Sequence, residues 1–188
     1  MNANKLVVGL TGMPGSGKSL VVETAKEMGY VVVTMGDVIR HETQKRGLEL
    51  TPQNVGKVML ALREEGGNTV IAQNCVPLIA AQTSRKILVD GLRSLYEVDT
   101  FKAHFTNFVV IAVHAAPEAR FNRLFNRGRS DDPINREVFH ERDMRELGVG
   151  LGNAIAMAEQ ILINDVSPEQ FKVQAKAALR RIEQKWQK

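Results

Sequence analysis

Apolar residues along the 188-residue chain recur in two rhythms. Continuous runs at Leu6–Leu10, Tyr30–Thr34, Lys86–Asp90, Phe108–Val113 and Ile161–Asn164 have the length and composition of strands buried on both faces of a parallel sheet. Between them, apolar positions return every three or four residues, as on helices that bury one face. Leu20, Val21, Thr24, Ala25 and Met28 predict a first helix, ended by Gly29. Gly36 and Asp37 predict a turn and N-cap for a helix that runs toward Arg46 and closes at Gly47. Thr51 as N-cap and Pro52 at the first helical position start another, with Val55, Val58, Met59 and Leu62 on one face before Gly66-Gly67. A third spans about 69–82. Three helices between two strands exceed a simple crossover, so 36–84 is expected to be an inserted lobe.

The second half continues the alternation. Leu95, Val98 and Phe101 mark a helix, and Pro117 starts the next, which passes Arg120, Leu124 and Phe125. From Asn126 to Asn135 the chain is nearly without apolar residues and is expected to be mobile and solvent-facing in its middle. A helix with Val138, Phe139 and Met144 should return the chain to the body. Gly148, Gly150 and Gly152 predict a loose connection into a short helix. Ser167, Pro168 and Gln170 form a capping-box pattern for the last helix, whose stripe of Phe171, Ala175, Ala178, Leu179, Ile182 and Trp186 should pack on the sheet. Strands alternating with helices predict an α/β domain spanning 1–188, with helices on both faces of a five-stranded parallel sheet.

One stretch assigns chemistry to this frame. Gly12 to Ser19 reads Gly-Met-Pro-Gly-Ser-Gly-Lys-Ser, which fits G-x-x-x-x-G-K-[ST] without mismatch and lies between a predicted strand and a predicted helix. Gly12, Gly15 and Gly17 let the loop, which passes through Pro14 and Ser16, turn tightly and bring several N–H groups of residues other than Pro14 close to an anion at a helix N-terminus. Lys18 would reach the terminal phosphates and the Ser19 hydroxyl would join the shell of Mg2+. ATP with Mg2+ is the expected cofactor; the competing reading is a glycine-rich turn that binds nothing. Asp90, at the carboxyl end of a strand beside this loop, is placed to orient magnesium-bound water.

Composition narrows the classes further. Twenty-five Lys and Arg against 21 Asp and Glu give a net charge of +4 without a long like-charge block. Anionic small molecules explain this surplus as well as nucleic acid does, and nucleic acid is not expected as a partner. Cys75 is the only cysteine, so neither an intrachain disulfide nor a cysteine-based zinc site is expected. No apolar run reaches the roughly 18 residues of a membrane span, and the N-terminus enters the first strand without a signal peptide. A cytoplasmic protein is expected.

Thr34-Met35-Gly36-Asp37-Val38-Ile39-Arg40 resembles the T-x-G-D-x-x-R segment that adenylate kinases place after their second strand. Leu88-Val89-Asp90-Gly91-Leu92-Arg93 resembles their L-D-G-F-P-R segment, but from Asp90 to Arg93 it lacks the Pro and is one residue shorter than D-G-F-P-R. The run from Arg127 through Gly128, Arg129, Ser130 and Asp131 to Asp132 is similar to the arginine-rich lid of the nucleoside monophosphate kinases. Asp-Gly-x-Arg-Ser and Arg-Asp-x-Arg-Glu, here Arg142 to Glu146, bring the chain closest to small archaeal adenylate-kinase-related proteins.

The resemblance implies a P-loop NTPase three-layer sandwich with strand order 2-3-1-4-5, an acceptor lobe at about 36–84 and a short lid at about 127–147. It implies acceptor binding by Arg40 and Arg93; Asp37 of the same segment and Arg63, on the second helix of the lobe, are further acceptor candidates, and Lys18, Arg93, Arg127 and Arg129 are expected to act on the transferred phosphoryl group. Asp37 has the competing role of a helix cap, and each arginine that of a solvated ion pair. Asn164 would lie where related kinases pass the purine ring of ATP, or would merely turn the chain at a strand end. Asp131 and Asp132 are expected to be hinge partners of the lid arginines.

Phosphoryl transfer is carried by positioning and charge, so arginines from separate segments are the informative feature. The function expected is transfer of the γ-phosphoryl of ATP to a phosphorylated small molecule, a nucleoside monophosphate first among acceptors. Kinase activity on another phosphate-bearing acceptor, such as dephospho-coenzyme A, is the nearest alternative. A regulatory ATPase without a small-molecule acceptor is the alternative from another class. No Asn-Lys-x-Asp for guanine selection occurs.

Overall fold

A computed structural model describes residues 5–129 and 132–187. Its strands are β1 (Leu6–Thr11), β2 (Val31–Thr34), β3 (Lys86–Leu92), β4 (Asn107–His114) and β5 (Gln160–Ile163). They form one sheet in the order β2-β3-β1-β4-β5, and each neighbouring pair is parallel. This is the P-loop NTPase arrangement.

Period-two alternation in the strands divides the core. Val7, Val33, Ile87, Val89, Phe108 and Val110 face one side, where they meet α2 (Met35–Lys45), α3 (Pro52–Gly66), α4 (Val70–Ala80) and α5 (Leu95–His104). Leu6, Val8, Leu10, Leu88, Ile111 and Val113 face the other, where α1 (Lys18–Glu27) and α9 (Pro168–Trp186) cover them. The apolar stripe of α9 is buried as its spacing predicts, and its capping box is formed. The remaining helices are α6 (Pro117–Arg127), α7 (Arg136–Gly148) and α8 (Leu151–Ala156). Among the described residues, no helix is long and apolar enough to cross a membrane.

Four local expectations are corrected. Helix α2 starts at Met35 with Thr34 as its N-cap, so Asp37 is not the cap. Met35 is buried and carries the helix straight off β2; Asp37 falls in the first turn, where a negative charge suits the helix dipole. Strand β3 continues past Asp90 to Leu92 because a bulge opposite Leu10 and Thr11 absorbs one extra residue. Only Val149 and Gly150 separate α7 from α8, and Gly152 is helical, so the connection is tight. Asp132 and Pro133 are buried rather than solvent-facing, since Asp132 gathers donors from its surroundings. Ser130 and Asp131 lie outside the described residues.

Candidate active site

The loop between β1 and α1 is shaped by contacts that tolerate no side chain at its glycines. Gly15 has φ +78, and a Cβ there would lie 2.8 Å from the Arg120 carbonyl oxygen. Gly17 has φ +103, and a Cβ would lie 2.1 Å from Nδ2 of Asn164. That amide donates to the Ser16 carbonyl at 2.8 Å, and Asn164 is buried just beyond β5. Asn164 therefore braces the loop from below. Lys18 Nζ folds back to donate to the carbonyls of Gly12 at 2.6 Å and Met13 at 3.2 Å.

A cleft of about 790 Å3 opens over this loop. Gly12, Pro14, Gly15, Gly17, Lys18, Ser19, Asp90 and Asn164 line it, whereas Ser16 lies beneath it and is buried. Loss of water around the Lys18 ammonium lowers its pKa to about 8, with Asp90 opposing the shift. Burial raises the pKa of Asp90, against the pull of Lys18 and Arg93. Among the described residues, Oδ1 of Asp90 and Oγ of Ser16 are buried without a hydrogen-bond partner. Asp90 with its orphaned oxygen and the exposed Ser19 line the same cleft; a carboxylate and a hydroxyl are a donor set that suits a hard divalent cation, and the glycine cradle suits a phosphate.

Arginines close the other walls. Arg93, Arg123, Arg127, Arg129 and Arg142 all line the cleft. Arg93 Nη1 donates to Glu146 at 3.2 Å. Arg127 grips Asp132 with Nε and Nη2, at 2.8 and 2.5 Å, and the Arg129 backbone N–H donates to the same carboxylate at 3.0 Å. Arg142 lies 3.8 Å from it. The Arg127 hydrogen bonds hold the Asp132 carboxyl below the usual carboxylate range.

The residues expected for the acceptor are not all gathered here. Asp37 and Arg40 pair with each other at 2.5 Å on the exposed surface of α2, outside the cleft lining. Arg63 also lies outside the lining; it pairs with buried Glu97 at 3.1 Å, and Glu97 accepts from the Arg93 backbone N–H at 2.6 Å. Arg63 is thus one residue removed from Arg93.

Sequence reasoning passed over Arg123 and Glu146 as site residues. Arg123 donates to the carbonyls of Ser16 at 3.3 Å and Asn164 at 2.9 Å, and Glu146 lines the cleft beside Arg93. For Arg123 a signal existed: Arg120, Arg123 and Arg127 recur at helical spacing and so share one face of α6. For Glu146 the Arg142 to Glu146 stretch marked a resemblance but assigned no role, and spacing gave no signal because its partner is 53 positions away.

A family model described as an AAA domain matches residues 11–140, from the end of β1 into α7. A UPF0200 protein of Methanocaldococcus jannaschii is 52% identical over 87% of this chain and 84% of its own length. Another, of Hyperthermus butylicus, is 46% identical over 96% of both chains. Among solved structures, TT1252 from Thermus thermophilus aligns with a TM-score of 0.67 at 18% identity, covering 95% of this chain and 98% of its own. Shikimate kinase from Bacteroides thetaiotaomicron aligns with a TM-score of 0.64 at 15% identity, covering 93% and 98%. At such identities these two likenesses concern the fold. The chain belongs to the UPF0200 family and carries a P-loop NTPase fold like that of these solved structures.

Proposed function

We propose that the protein is an ATP-dependent kinase that moves the γ-phosphoryl group to a phosphorylated acceptor, specifically a nucleoside monophosphate. The observation that carries this reading is that Lys18 and five arginines line one cleft. Such a density of guanidinium groups exceeds what one triphosphate on a P-loop requires, and a second phosphate-bearing molecule accounts for it.

In this reading Gly12, Pro14, Gly15, Ser16, Gly17 and Lys18 hold the phosphates of ATP, and Asn164 braces that loop from beneath. Ser19 and Asp90 hold Mg2+, which neutralises charge on the phosphate oxygens when bound. Lys18, Arg93, Arg127 and Arg129 stabilise the charge that spreads over the transferring group. The helices within 36–84 form the acceptor lobe and 127–147 the lid. Closure brings Asp37, Arg40 and Arg63 toward Arg93 and exchanges the arginines' present carboxylate partners for phosphate.

ADP release in a coupled assay, with Mg·ATP and each nucleoside monophosphate in turn, tests the reading. At least one should stimulate turnover, and Lys18→Ala should lower that turnover by about 10²-fold or more. Stimulation by a non-nucleotide phosphate ester alone would correct the acceptor. Turnover indifferent to every acceptor but altered by RNA or a protein would support a regulatory ATPase instead.

A further inference from the structure

Helix α7 turns two acids inward while two of its apolar residues turn out. Val138 and Met144 are 39% and 53% exposed, whereas Asp143 and Glu146 are buried. A buried carboxylate is unfavourable unless it is paired and hydrogen-bonded. Asp143 meets this condition with both oxygens, accepting from Arg120 Nη1 at 2.9 Å and Nη2 at 2.5 Å. Arg120 is itself only 4% exposed. Its Nε donates to the Ala115 carbonyl at 3.2 Å, and its guanidinium lies 4.9 Å over the Phe139 ring. The group is therefore held in one orientation. From there, Nη1 also donates to the Pro14 carbonyl at 3.1 Å.

That last contact acts on the phosphate loop. In a planar trans peptide the C=O and N–H point to opposite sides, and the described residues contain no cis bond. Holding the Pro14 carbonyl against α6 turns the Gly15 N–H the other way, and Gly15 lines the cleft. Helix α6 also seats closely on the loop: a Cβ on Gly15 would be 2.9 Å from Cγ of Leu124. A loop peptide whose carbonyl is pinned outside meets an anion with its amide already oriented, so binding need not reorganise it.

We propose that Asp143 is a positioning residue of the nucleotide loop: acting through Arg120, it fixes the Pro14–Gly15 peptide in the orientation that receives the phosphates of a nucleoside triphosphate. The proposal rests on the reading that this cleft takes ATP. It gives the Arg-Asp-x-Arg-Glu stretch of α7 a role at the phosphate loop that ion pairing between helices alone would not.

The test compares affinity for a fluorescent ADP analogue with Mg2+, and thermal unfolding, in the full chain and two variants. Asp143→Asn keeps the shape of the side chain and is read at a temperature where circular dichroism finds it folded. It should bind the analogue about tenfold or more weakly. The double variant Arg120→Met with Asp143→Leu replaces a buried ion pair by apolar groups, an exchange that often preserves or raises stability. It should recover the melting temperature but not the affinity, because the Pro14 carbonyl has lost its donor. Affinity that returns with the melting temperature, or an Asp143→Asn variant that binds like the unaltered chain, would overturn the proposal and leave a mere brace. An unaltered chain that binds no analogue would overturn the nucleotide reading, and the proposal with it.

Discussion

Gly17→Ala probes the phosphate loop through sterics alone. The residue stands at φ +103, and the added Cβ would come within 2.1 Å of the Asn164 amide nitrogen. Holding an L-residue in that region of backbone space costs about 1–3 kcal/mol. Pushing Asn164 aside removes its 2.8 Å bond to the Ser16 carbonyl and strands a buried amide, a further loss of about 1–3 kcal/mol. The total of about 2–6 kcal/mol must appear somewhere. If the loop keeps its shape, folding stability falls by that amount; if the loop relaxes, stability holds and nucleotide affinity falls about 30-fold or more. Thermal unfolding and calorimetric titration with Mg·ATP, on the same preparation, measure both parts. A variant with unchanged melting temperature and unchanged affinity would refute the account of how this loop is braced.

Other expectations can be checked as directly. Asp132→Asn weakens a carboxylate that Arg127 holds below its usual pKa, so stability should fall by about 1–3 kcal/mol at neutral pH. Because the folded pKa lies below the unfolded value of about 3.9, that advantage is complete above this pH and disappears as pH falls through the folded value. The gap between the two melting temperatures should therefore close in acid, and a gap that widens there would contradict the assignment. Burial pushes the Cys75 thiol up to about 12, so a thiol-specific dye should label the folded chain at pH 8 far more slowly than the denatured chain; equal rates would mean that α4 does not pack as described. Arg40→Ala should mainly weaken use of the acceptor, seen as a higher acceptor KM with ATP hydrolysis unaltered, and equal loss of both would contradict its proposed role.

The sheet was the most legible part of this chain, because a strand covered on both faces must be apolar throughout and so leaves an uninterrupted run. Its strand order came from the adenylate kinase resemblance, and the structure has the same order. Element boundaries were less legible: Met35 serves the core as well from a helix as from a turn, and only its packing decides that α2 begins there. The loop at Gly12 to Ser19 announced itself by spacing. The acids that organise the cleft did not. Asp143 and Glu146 pair with arginines 23 and 53 positions away, and no periodicity within α7 distinguishes them from solvated charges. Their burial follows from three-dimensional pairing, which a linear pattern of polar residues does not encode.

The fate of the γ-phosphoryl group tests the central claim most directly. With γ-labelled ATP, Mg2+ and a panel of nucleoside monophosphates, label should leave ATP for a nucleoside diphosphate, and Lys18→Ala should stop the transfer. Label recovered solely as inorganic phosphate, whatever acceptor is present, would contradict a kinase and leave an ATP hydrolase in its place.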